Sequence, residues 1–171
     1  MRNYEERAKD FIKEIYPYLE SINFNRFYAN EAIYRYNNEY NRHVIIASGI
    51  ARVALITSDY VVKYDYNRDH VNNVGGGESE VYMYEVAKEE GYDYLFAKVS
   101  RYVYNNHYFY IMPRIRYITD RVEYAQDFMT DDERQWCDSH DIDDLHSFNY
   151  GFREGKVCIV DYACNENVFE H

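Results

Sequence analysis

Apolar residues recur at helical spacing from residue 4 to residue 19, where Ala8, Phe11, Ile12, Ile15 and Leu19 share one face and charges fill the other. That pattern predicts an amphipathic helix. A second helix is expected through Ala32, Ile33 and Tyr36, with Asn30 as its cap. From Val44 the period shortens: apolar runs at 44–46, 51–56 and 60–64 are separated by Ser48-Gly49 and Thr57-Ser-Asp59, which predicts three strands in an antiparallel meander. Gly75-Gly-Gly77 then releases the backbone before a helix from about Glu78 to Glu90, stopped by Gly91. Strands are expected over 95–103 and 107–115, around a turn at Asn105-Asn106. Thr130-Asp-Asp-Glu133 has capping-box spacing and opens a helix through Trp136 toward Asp138. A last apolar strand, ending at Asp161, follows a glycine-containing turn at Arg153-Glu-Gly155.

This order of elements predicts an α+β protein with five antiparallel strands. At 171 residues the chain can bury the core of one domain, and 47% hydrophobic content with 19% aromatic excludes a mainly disordered chain. Much of that apolar content is its 22 tyrosines, whose polar tips are compatible with a mean hydropathy of −0.69. A formal charge of −11 argues against general nucleic-acid binding, which needs a basic surface. No apolar run reaches the length of a membrane span, and the first residues lack the apolar core of a signal peptide, so no membrane partner is expected. Cys137, Cys158 and Cys164 are odd in number without C-x-x-C spacing, for which a reduced cytoplasm is the simplest compartment. The abundance of Tyr and Asn resembles that of bacteriophage proteins, which would make the compartment a host cytoplasm.

Candidate chemistry concentrates near the end, in Asp144-Leu-His-Ser-Phe-Asn149 and in Asp161. A loop carboxylate can accept a proton from an attacking hydroxyl, and an Asn carbonyl with a strand-end carboxylate supplies hard oxygen ligands for Mg²⁺. Upstream, Glu80 shares a helix face with Met83, Tyr84 and Ala87, and a carboxylate aimed at a core needs a cation, for which Lys63 is the natural candidate. Glu78, on a more mixed face, is the second candidate. The glycines at 75–77 could cradle phosphate, but no Lys-Ser/Thr follows at the helix start, which argues against a P-loop. The cluster from His140 to His146, with Cys137 nearby, is an alternative transition-metal site, although its spacing fits no standard zinc pattern; His146 reads better as a loop-stabilising side chain.

These segments resemble the catalytic and metal-binding segments of the protein-kinase-like fold, in the D-L-H-x-x-N form of small-molecule kinases such as the aminoglycoside phosphotransferases. The resemblance implies that Asp144 is the catalytic base, that Asn149 and Asp161 are Mg²⁺ ligands, and that ATP is the phosphoryl donor. Ser48-Gly-Ile-Ala-Arg-Val53 resembles a reduced phosphate-covering loop carrying Gly49, although an ordinary hairpin turn reads equally well there. Val61-Val-Lys63 is similar to the V-A-I-K strand, which implies that Lys63 meets the nucleotide phosphates, that Val61 covers the base, and that Glu80 completes the Lys–Glu pair. Ile111-Met-Pro-Arg-Ile115 resembles the hinge between kinase lobes, which implies that Met112 lies beside the adenine. The chain departs from the family at Ile142 and Asp143, where His and then Arg or Gly stand before the Asp, and at Asp161-Tyr-Ala, in place of D-F-G.

The resemblance covers about residues 44–163 and divides the chain into an N-terminal helical extension at 1–43, a small lobe and hinge at 44–115, and a minimal large lobe at 116–171 that lacks the peptide-docking helices of protein kinases. The implied function is ATP- and Mg²⁺-dependent phosphoryl transfer to a small-molecule or protein hydroxyl. Two alternatives come from other classes: a kinase-fold nucleotide-binding or interaction protein without turnover, and an acidic decoy that mimics nucleic acid.

Overall fold

The computed structural model describes residues 3–49, 52–66, 76–115, 124–146 and 149–162. Ile50, Ala51, Gly75, Ser147, Phe148, Ala163 and Cys164 lie outside the described residues. The fold is α+β with one five-stranded antiparallel sheet, and the chain divides into two compact units. The first comprises Met1–Gly77 and Ser100–Arg114; the second comprises Glu78–Val99 and Ile115–His171.

In the first unit, α1 (Tyr4–Ser21) and α2 (Ala29–Tyr40) precede a sheet of β1 (Ile45–Ser48), β2 (Arg52–Ile56), β3 (Tyr60–Asp65), β4 (Ser100–Tyr104) and β5 (His107–Pro113). The spatial order is β1-β2-β3-β5-β4. The two sequence periods meet at the core. The 3.6-residue stripe of α1, with Phe11, Ile12, Ile15 and Leu19, packs with Ile33 and Tyr36 of α2 on the period-2 face formed by Val53, Leu55, Val62, Phe109 and Ile111. The two helices within 1–43 belong to the same compact unit as the sheet, and their apolar stripe covers one face of it.

Asn30 does not cap α2. A 3-10 turn, Arg26–Tyr28, runs directly into the helix, and its cap is Asn25, whose side chain accepts from the Phe27 N–H at 2.9 Å. At the other end Asn41 takes a left-handed conformation at φ 49°, and the Asn37 side chain joins the Val44 backbone at 3.0 and 2.9 Å, which fixes the exit into β1.

The helix α3 (Gly76–Glu90) begins two residues earlier than the glycine run suggests, and Gly77 is there for space. A Cβ added at Gly77 would lie 2.0–2.4 Å from the Tyr110 ring of β5, far inside van der Waals contact. Gly77→Ala should therefore destabilise the protein by about 1–3 kcal/mol, the usual cost of overpacking. Helix propensity alone would instead favour the alanine by about 1 kcal/mol. Urea denaturation distinguishes the two by sign, and a stabilised variant would contradict the packing account.

In the second unit, α3 continues with Ser79, Glu80, Met83, Tyr84 and Ala87 buried. It stops at Gly91, where φ is 83° and the Tyr92 N–H donates to Ala87 O at 2.7 Å, a Schellman arrangement. The strand expected over 95–103 is realised only at Ser100–Tyr104. Asp93–Leu95 form a 3-10 turn, and Phe96 makes an isolated parallel bridge to Ile159 instead. Leu95, Phe96 and Ala97 are buried consecutively, so their apolar run lacks the alternation of a one-sided strand. Here α4 (Asp131–Ser139) starts with the expected capping box, in which Glu133 N–H donates to Thr130 Oγ1 at 3.3 Å and Thr130 N–H to Glu133 Oε2 at 2.6 Å. The hairpin of β6 (Tyr150–Arg153) and β7 (Lys156–Ile159) closes the described chain, with Glu154 and Gly155 both at positive φ, 54° and 81°. Among the described residues no helix is long and apolar enough to cross a membrane.

Candidate functional site

Two groups of candidate residues emerge, one in each unit. In the first, β3 turns Tyr60, Val62 and Tyr64 into the helical core, so Val61, Lys63 and Asp65 project from the opposite face of the sheet. On that face Lys63 pairs in register with Ala54 on one side and Tyr110 on the other, and Val61 pairs with Met112. Lys63 is only 7% exposed, an unusual degree of burial for a lysine. Met112 is buried, whereas Val61 is partly exposed. The sequence thus brings Lys63, Val61 and Met112 onto one patch of sheet through the register alone.

Gly49 belongs to the hairpin between β1 and β2. Its N–H donates to Arg52 O at 2.9 Å and its carbonyl accepts from Arg26 at 2.7 Å. An added Cβ would meet only Arg52 O, at 3.9 Å, so the local packing does not require glycine there.

In the second unit the segment after α4 alternates buried anchors with exposed acids. Ile142 and Leu145 are buried, and Asp143 and Asp144 are exposed between them. The backbone is tied down by Ile142 N–H to Cys137 O at 3.0 Å and by Ala125 N–H to Leu145 O at 2.9 Å. Asn149, 7% exposed, braces the rest. Its Nδ2 donates to the Asp144 carbonyl at 2.9 Å, its N–H to His146 O at 2.9 Å, and its own carbonyl accepts from the Val160 N–H at 2.8 Å. Because a carbonyl can only accept, the bond to Asp144 O fixes which amide atom is nitrogen. No described residue donates to Asn149 Oδ1.

Asp161 follows Val160 directly and is half-buried. The next residue, Tyr162, anchors this segment. Its ring packs on Phe96 with centroids 4.8 Å apart, and its hydroxyl donates to Ala97 O at 2.7 Å. Burial holds that phenol well above its ordinary pKa, so it stays neutral and a donor. Tyr162 therefore fixes the backbone beside Asp161 with a bond that phenylalanine could not make. Glu80, in the same unit, is fully buried, and Glu78 is partly exposed.

His146 Nε2 lies 3.2 Å from Asp144 Oδ1 and 3.4 Å from Asn149 Nδ2, the local role expected of it. The Asp144 side chain remains 72% exposed, so the contact leaves the carboxylate open to an acceptor. His140 stacks on Trp136 at 4.1 Å, and its Nδ1 lies 2.9 Å from Trp136 O. Among the described residues no three His, Cys, Asp or Glu side chains gather around a metal position. Cys137 and Cys158 are free and buried, and burial pushes their thiols up to about 12 and about 11, away from ligand chemistry. Asn149 Oδ1 and the Asp161 carboxylate are hard oxygens of the type Mg²⁺ takes, and the bond from Val160 N–H to Asn149 O ties their two segments together.

No family model and no curated protein sequence matches the chain. Among solved structures it is similar to the Legionella pneumophila Lpg2603 kinase bound to IP6, with 12% identity and a TM-score of 0.48, over 77% of this chain and 51% of that one. The chain thus spans about half the length of that kinase. A likeness of this degree fixes neither fold nor function.

Proposed function

We propose that the protein is an ATP- and Mg²⁺-dependent phosphotransferase of kinase-like design, acting on a small-molecule or protein hydroxyl. The observation that carries this reading is the brace at Asn149, which ties the Asp144 backbone on one side and the residue before Asp161 on the other while its Oδ1 stays available. In this reading Asn149 and Asp161 hold Mg²⁺, which when bound offsets phosphate charge. Lys63, desolvated on the sheet, contacts the α/β phosphates, with Glu80 in the same phosphate-positioning set. Val61 and Met112 would present apolar surface to the base, and Gly49 would meet the phosphates. Asp144 accepts the proton of the attacking hydroxyl as the γ-phosphorus–oxygen bond to the new acceptor forms and the bond to ADP breaks. A cytoplasmic setting, in a host cell if the gene is a phage's, follows the reduced cysteines.

A second reading, nucleotide binding without transfer, draws on Gly49, which sits in an ordinary hairpin and leaves the phosphates less backbone to approach. Transfer of the γ-phosphate from labelled ATP, to the protein itself and to a cell extract, tests the choice. The phosphotransferase reading expects Mg²⁺-dependent labelling. Demonstrated ATP binding with no labelling of any acceptor would favour the binder.

A further inference from the structure

The first unit contains a cavity of about 660 Å³ on the helical side of the sheet, opposite the face that carries Lys63. Its walls come from three separate segments: α1, the connection from α2 into β1, and the turn between β2 and β3. The volume lies within the usual range of small-molecule sites. The floor is aromatic, with Phe11 meeting Tyr36 edge-on at 5.6 Å and Tyr60 at 5.9 Å.

The charges on the walls are not all used internally. Arg7 pairs with Asp59, so that cation and that anion offset each other. On the α1 wall Glu14 accepts from the Tyr36 hydroxyl at 2.9 Å, and Asp10 stands one turn earlier. The connection between α2 and β1 adds Arg42 and His43 to the lining, both exposed. Among the described residues neither Arg42 nor His43 makes a side-chain hydrogen bond or ion pair, and no pair joins Arg42 to Glu14. Burial first, and then the bond to Glu14, push the Tyr36 phenol up while Arg42 opposes them, so both charges reach that hydroxyl. Arg42 likewise opposes the burial that pushes Tyr60 up to about 12. One cavity is thus lined by the Glu14 carboxylate, the Arg42 guanidinium and the rings of Phe11, Tyr36 and Tyr60.

We propose that this cavity binds a small aromatic zwitterion of amino-acid type, with its ammonium on Glu14, its carboxylate on Arg42 and its ring against Phe11 and Tyr60. Glu14 accepts from the ammonium using the lone pairs that the Tyr36 hydroxyl leaves. Arg42 offers a planar fork that matches a carboxylate. A ligand with only one of the two charges leaves either Glu14 or Arg42 without a partner.

The test uses L-phenylalanine as probe, with phenethylamine and 3-phenylpropionate as single-charge controls, by calorimetry and saturation-transfer NMR on the full chain. L-phenylalanine should bind, and each control should bind about tenfold or more weakly, since charge-assisted hydrogen bonds carry that scale. Glu14→Gln should weaken L-phenylalanine and phenethylamine but not 3-phenylpropionate, and Arg42→Gln should do the reverse with the two controls. Both residues are exposed, and a glutamine at 14 keeps a carbonyl oxygen to accept from the Tyr36 hydroxyl, so an unchanged melting curve is expected of each variant. Because the cavity and Lys63 lie on opposite faces of the sheet, MgATP should not displace the probe, and the outcome is independent of the phosphotransferase reading. The proposal is overturned by no binding of L-phenylalanine at millimolar concentration, by controls that bind as tightly as the zwitterion, or by displacement with MgATP.

Discussion

Asp161→Ala is expected to remove most of the Mg²⁺-dependent nucleotide affinity while leaving the protein folded. The carboxylate is one of two hard-oxygen side chains in the proposed metal set, and Mg²⁺ held by few protein ligands has no substitute for a lost charge. Groups that only orient a metal ligand cost about 10–100-fold when removed, so loss of a ligand itself should reach the order of 10²-fold or more. The fold should survive because Asp161 is half-buried and the backbone on either side is held by other groups. Val160 N–H donates to Asn149 O at 2.8 Å, and the Tyr162 hydroxyl donates to Ala97 O at 2.7 Å. Calorimetry of MgATP binding, beside a melting curve of the same sample, reads both halves. Unchanged affinity in the variant would remove Asp161 from the metal set.

Asp144→Asn should separate chemistry from binding. Its carboxylate is assigned to the acceptor hydroxyl, so ATP affinity should stay nearly intact while transfer slows by on the order of 10²-fold or more, the scale of positioned proton transfer. The loop should hold its shape, because Asn149 bonds the backbone carbonyl of residue 144 and not its side chain. Among the described residues the substitution alters one side-chain interaction, the contact from His146 at 3.2 Å. Equal phosphoryl transfer by wild type and variant would exclude Asp144 as the base.

Much of the architecture was legible because it follows from period. The stripe of α1, the alternation of β2 and β3, the Asn105-Asn106 turn with both residues at positive φ, and the Thr130 capping box all declare themselves within a few residues. What escaped depends on partners distant in sequence. The run at 95–99 reads as strand on composition, yet its buried residues meet β7 instead of extending the sheet. Gly77 reads as a flexible spacer until Tyr110 is placed against it. Asn30 has the right residue type for a cap, but the 3-10 turn before it moves that role to Asn25.

The candidate site divides in the same way. The order Lys63, Glu80, Met112, Asp144, Asn149, Asp161 was visible in the chain. The brace from Asn149 to Asp144 O and the Tyr162 anchor were not, since each needs a backbone atom whose position only the fold supplies. The cavity between Glu14 and Arg42 gave no local signal at all, because its walls come from three segments.

Every role proposed for the site depends on the chain binding a nucleotide with Mg²⁺, and a thermal-shift titration of the wild-type protein with MgATP reads that binding. A ligand that binds only the native state at about 100 times its Kd stabilises it by about 2.7 kcal/mol, which for a chain of this size raises Tm by about 5–10 °C. A rise of that order is expected, growing with MgATP concentration and shrinking when EDTA removes the metal. A Tm unmoved by millimolar MgATP would contradict it.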